Sequence, residues 1–130
     1  MTPDDVRSQI MNALDASWAT ATSISWPNKD FIVPQVAWIQ PVIKMGQSFV
    51  LELGDGVGLR TGVLMVSIFT PAGDGLKKAF DYAARLEAIY RRKDLSGVLF
   101  KEPYTDDKGR NDSGFNHVLM SVDFDAWVGE

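Results

Sequence analysis

Gly73, Asp74 and Gly75 precede a helical pattern that carries Lys77 in its first turn. Glycines that open a helix are one place where proteins hold phosphate, because backbone N–H groups and the positive end of the helix dipole meet there. A phosphate-binding loop also needs a Lys followed by Ser or Thr directly after its second glycine, and here Leu76 follows. The dinucleotide fingerprint fails as well. The simplest role is a strand-to-helix turn that Asp74 caps. An anion held by this turn and Lys77 is the rival reading. His117 is the only histidine, so a two-histidine metal site within one chain is excluded. A Ser–His–Asp set would have to use it, yet "GQSFV" (46–50) lacks the second glycine of a nucleophile elbow. Asp123 and Asp125 share one face of a strand pattern. Paired carboxylates do acid–base work when their surroundings split their pKa values, and nothing in the pattern buries this pair. Asp106, Asp107, Asn111 and Asp112 lack the EF-hand spacing and its closing Glu. With no cysteine, the chain has no disulfide, thiolate zinc site, iron–sulfur cluster or cysteine nucleophile. No catalytic, cofactor or metal site is expected.

The elements behind these residues fit one domain over residues 1–130. At 45% hydrophobic and 23% charged residues the composition is that of a globular protein. A net charge of −4 makes a poor binder of duplex DNA or anionic membranes. The first residues carry acids where a signal peptide needs bases. No run of apolar residues reaches the ~18 needed for a membrane span.

Thr2, Pro3, Asp4 and Asp5 start a helix predicted to run to Ala19, with Val6, Ile10, Ala13, Leu14 and Trp18 on one face. Residues 20–35 form a connection with a short strand near Ile24–Trp26. Residues 36–69 read as a three-strand meander with turns at Gly46-Gln47 and Asp55-Gly56. Pro41 places the first of these strands at an edge or a bulge. The last, near Leu59–Phe69, is long and central. Leu76, Ala79, Phe80, Ala83, Leu86, Ile89 and Tyr90 then make a helical stripe. Burial of Phe80, Leu86 and Ile89 is expected to contribute about 2 kcal/mol each. Asp81 with Arg85, and Glu87 with Arg91, add roughly 0.3–0.5 kcal/mol per pair. A strand at Val98–Phe100, a mobile polar loop over Lys101–Asn116 and a final alternating strand complete the chain. The fold class is α+β, with one antiparallel or mixed sheet of about four to six strands and two helices packed on one face.

One strand exceeds these needs. In "GVLMVSIF" (62–69), Val63, Met65 and Phe69 point one way, and Leu64, Val66 and Ile68 the other. Two helices cover one face of a sheet this wide, so something else must cover part of the second. Another copy of the chain would serve. So would the Trp26–Phe31 connection folding across.

The layout resembles the tail terminator proteins of long-tailed phages and prophages, the group with the lambda-type terminator. The likeness rests on the N-terminal helix, "SWPNKDF" (25–31), "AWIQPVI" (37–43), "GVLMVSIFTPAGDG" (62–75), the helix with Ala79, Ala83 and Leu86, and "VLMSVDF" (118–124). It implies a structural role without catalysis. Such proteins form a ring, typically a hexamer, on the finished tail tube. The ring ends tube polymerisation and offers a surface to the head. The implied partners are other copies of the chain, the tail-tube protein and a head-completion or connector protein, in the host cytoplasm during assembly and then in the virion tail. Sequence-specific nucleic acid binding and membrane binding are not expected. A head-completion or connector component, and a small anion-binding module or enzyme using the Gly73–Gly75 turn, are the alternative functions. Arg60, Lys108 and Arg110 are candidate interface charges, and Trp26 and Phe31 candidate apolar anchors, although lone aromatics in a connection usually pack inward.

Overall fold

The computed structural model describes residues 3–18, 21–27, 29, 31–50, 58–110 and 114–128. Helix α1 (Pro3–Trp18) leads to strand β1 (Ser23–Ile24), β2 (Trp38–Val50) and β3 (Gly58–Pro71). A 3₁₀ turn (Ala72–Asp74) and helix α2 (Lys77–Tyr90) follow, then β4 (Asp94–Leu95), β5 (Val98–Phe100), β6 (Tyr104–Arg110) and β7 (Phe115–Val128). The sheet runs β1-β2-β3-β7-β5-β4, with β6 continuing the β5 side of β7. Only β1 and β2 pair in parallel. The expected α+β class, with both helices on one face of a mixed sheet, is what the chain adopts.

Period-two patterning explains the long strands. Leu64, Val66 and Ile68 of β3 pair across to Val122, Met120 and Val118 of β7, and all six are buried. From above, α1 contributes Val6, Ile10, Leu14 and Trp18, and α2 contributes Ala79, Ala83, Leu86 and Tyr90. The Tyr90 hydroxyl donates to the Ile10 carbonyl at 3.0 Å and locks the helices together. Burial pushes this phenol far above its ordinary pKa, so it stays protonated and keeps its donor. At Gly62 a Cβ would come within 2.5 Å of the Phe124 ring, so a glycine there lets the ring lie flat on the strand.

Four expectations need correction. Gly46-Gln47 does not turn the chain; β2 passes straight through it, with a register shift between Met45 and Ser48. β2 and β3 are therefore one long antiparallel pair and not three strands. A glycine beside a polar residue marks a bulge as well as it marks a turn. The Asp55-Gly56 turn lies outside the described residues. The loop expected over 101–116 contains β6. Its sequence has weak strand preference, but β5 pairs with only Phe124–Ala126 of β7, and the rest of that ladder needs a partner. Gly109, at φ +81°, absorbs the irregularity between Asp107 and Gly109. Phe80, expected to be buried, is 40% exposed. Ala79 and Ala83 form the seam that lets α2 approach the sheet closely, and Phe80, one position round, is left at the rim. Finally, Leu76 and not Asp74 holds the helix N-cap position, without a side-chain cap bond.

Smaller shifts follow the same logic. The short strand falls at Ser23–Ile24, ahead of Ile24–Trp26. Glu87 and Arg91 pair at 2.7 Å as expected. Asp81 pairs instead with Lys77 at 3.0 Å, and the Arg85 guanidinium stands 4.9 Å over the Trp18 ring.

Candidate assembly surface

The face of the sheet away from the helices is assembled from alternate residues. Its rows are Trp38, Gln40, Val42 and Lys44 of β2, then Val63, Met65, Ser67 and Phe69 of β3. His117, Leu119, Ser121 and Asp123 of β7 follow. At one end this face is closed by aromatic packing. Trp38 stacks on Phe69 with ring centroids 4.3 Å apart, and Phe69 stacks on His117 at 4.6 Å. Phe115 stands edge-on to Trp38 at 6.2 Å, and Phe31 lies against Trp38 at 5.1 Å. Trp38, Phe69 and Phe115 are buried. The connection thus covers this end through Phe31.

The rest of the face is open. Val63, Met65 and Leu119 are half-buried, Val42 and Leu99 are 39% exposed, and Tyr104 is 52% exposed. Of the two ways of hiding the second face, the structure shows the connection folding across, and only at one end. One end is closed by the chain itself, and the remainder stays open.

The five residues singled out from the sequence do not converge. Trp26 is half-buried and packs on the helix side with the main core, so the inward reading holds for it. Phe31 is half-buried in the aromatic cluster. Arg60 sits at the far end of β3, on the helix face, opposite Ala126, with its Nε buried and without a hydrogen-bond partner. Lys108 and Arg110 are exposed on β6, where Lys108 lies 3.7 Å from Asp106 and Arg110 pairs in register with Asn116. Sequence reasoning missed Ile32, Val33 and Val36, which are 92%, 52% and 62% exposed in the connection. The available signal was an apolar run, "FIVPQV", in a stretch with no element to bury it.

The groups tested for chemistry stay apart. His117 has a buried Nε2 without a hydrogen-bond partner. Burial, and secondarily the Lys108 charge, hold its pKa below the ordinary value. Asp125 lies 3.6 Å from Lys101, and Asp123 is exposed, so the two carboxylates stand in ordinary surroundings. Among the described residues no cluster of three His, Asp or Glu side chains is placed to hold a metal. The Gly73–Gly75 turn is positioned from β7. Asn116 Nδ2 donates to the Gly75 carbonyl at 3.3 Å, and Gly75 takes φ +76°. None of the described helices is long and apolar enough to cross a membrane.

Two helices on one face of a mixed sheet, with the other face half open, define a small α+β protein whose chief surface feature is an uncovered sheet. The family model for the phage tail terminator protein matches residues 5–100, and the chain belongs to that family. The match ends with β5; β6 and β7 lie beyond it. A solved structure superposes with a TM-score of 0.76 at 21% identity, covering 100% of this chain and 99% of that one, and so shares the whole fold. No curated protein matches the chain. The resemblance drawn from the sequence motifs is thus to the family the chain belongs to, a family of structural tail components.

Proposed function

We propose that this protein caps the phage tail tube as a ring of identical copies, six by the resemblance, ending tube polymerisation and offering the head a surface to join. The open part of the outer sheet face carries this reading, because a family member with half-exposed Val42, Leu99 and Tyr104 on that face has apolar area that a neighbour would bury. A head-to-tail contact between unlike surfaces closes into a ring when its rotation is a simple fraction of a turn. One ring surface then meets the tube-protein end. The opposite surface recruits no further tube protein and is left for a head-completion or connector protein. The chain's net charge of −4 suits a ring through which DNA passes without adhering. Family membership favours this over the anion-binding alternative. Assembly takes place in the host cytoplasm, and the finished ring resides in the virion tail.

Deleting the gene should give tails with overlong, unregulated tubes, and electron microscopy of the purified protein or of finished tails should show annular particles. A chain that is strictly monomeric in solution and on tails would overturn the reading. Arg110→Glu, on exposed β6, is expected to weaken ring formation while leaving the melting temperature unchanged, as read by native mass spectrometry and thermal denaturation.

A further inference from the structure

Two unsatisfied features of the chain complement each other. The first is an open strand edge. The Ser25 N–H donates to the Ile39 carbonyl at 2.8 Å, so the odd-numbered residues of this part of β2 turn their backbone groups toward the β1 side. β1 pairs only with Trp38 and Ile39. Beyond them the Pro41 carbonyl and the N–H and C=O groups of Ile43 and Met45 have no strand partner among the described residues. The edge carries half-buried Ile43 and Met45 on the helix face, and Val42, 39% exposed, beside exposed Lys44 on the outer face. An edge of this kind is a template for strand addition unless something occupies it.

The second feature is the segment Ile32–Val36. It lies in no helix or strand, and its apolar residues Ile32, Val33 and Val36 are 92%, 52% and 62% exposed. It matches residues 41–45 one for one in length. Set parallel, with Val33 beside Val42, it puts Ile32, Pro34 and Val36 next to Pro41, Ile43 and Met45, and Gln35 next to Lys44. In a parallel pair each residue of one strand bonds the two neighbours of its counterpart. The Ile43 N–H then reaches the Val33 carbonyl, and the Ile43 carbonyl accepts from the Gln35 N–H. Pro34, which has no N–H to give, faces away from the ladder, the position a proline tolerates at an edge.

We infer that Ile32–Val36 of one copy adds as a parallel strand to residues 41–45 of the next copy, continuing the line of that copy's β1. The contact joins unlike surfaces, an edge and a connection, so it is head-to-tail and suited to ring closure. It rests on the ring reading above, and it names the elements that make the ring.

The absence of cysteine makes the test clean. Val33→Cys and Val42→Cys variants with tags of different mass are mixed and oxidised. Paired strand positions lie within the roughly 4.4–6.8 Å Cα separation a disulfide needs. The expected product is a disulfide dimer of one variant with the other, in large excess over either homodimer. The double variant should give a ladder of linked copies. Ile32→Asp with Val36→Asp should weaken assembly by about tenfold or more at unchanged melting temperature, since both side chains are exposed in the single copy. Oligomers by native mass spectrometry without the mixed disulfide would overturn this contact and leave the ring intact. A disulfide within one chain of the double variant would overturn it by placing the segment on its own edge. Monomers throughout, with no crosslink, would remove both the contact and the ring.

Discussion

The two faces of β3 carry similar side chains and meet different fates. Leu64, Val66 and Ile68 are fully buried under the helices. Val63 and Met65, one residue away on the other side of the same strand, stay half-exposed, and only Phe69 at the end is sealed by its neighbours. A β-strand cannot choose its second face independently, because register fixes both at once. The helix face is finished within the chain, whereas the outer face is finished only where the connection reaches it. Hydrophobic content alone therefore does not tell which face of a strand ends up covered. What decides it is whether enough chain exists to cover both sides.

The comparison breaks most readily at its centre. Leu64→Ala should cost about 2–5 kcal/mol in denaturant unfolding, a lost side chain plus a cavity, while Met65→Ala should cost under about 1 kcal/mol in the isolated copy. Equal losses would mean that the outer face is as dry as the inner. Phe31→Ala tests the sealed end. Removing a half-buried ring from the face of Trp38 should cost about 1–2 kcal/mol and shift tryptophan fluorescence toward that of a wetter indole. An unchanged spectrum would mean that Phe31 does not shield Trp38.

The smallest effect concerns His117, stacked on Phe69 at the rim of the sealed end. Its pKa in the folded chain lies below the ordinary 6.5, so the unfolded chain binds the proton more readily. Stability should be fully present above about pH 6.5 and decline as the pH falls below it. His117→Phe should flatten that part of the profile of melting temperature against pH. A profile identical to that of the unaltered protein would show that this imidazole has no such linkage.

How much could be read from the residues depended on whether they carried their own pattern. α1, β3 and β7 were legible because burial imposes periods of 3.6 and 2 on their side chains. The stripe on α2 was legible except at Leu76, which precedes the helix and is 39% exposed, and at Phe80, where two alanines narrow the buried seam. β6 was illegible because Asp106, Asp107 and Lys108 carry no strand signal; they are held by the unpaired edge of β7, which lies elsewhere in the sequence. Gly46-Gln47 misled because bulge and turn share a chemistry. For the assembly surface, the excess apolar strand was legible. The exposed Ile32–Val36 run was not, since apolar residues in a connection ordinarily turn inward.

One consequence follows from the position of β7. It is the last strand of the sheet to be synthesised, yet it lies between β3 and the β5–β6 side. While it is still inside the ribosome, Leu64, Val66 and Ile68 have no β7 residues beside them, β5 is paired with β4 alone, and β6 has nothing to join. Until it arrives, the apolar row of β3 is uncovered on that side and the β3 edge stands unpaired, a state prone to non-specific association. The main core is completed only when this strand is added, since Val118, Met120, Val122, Phe124 and Ala126 all belong to it.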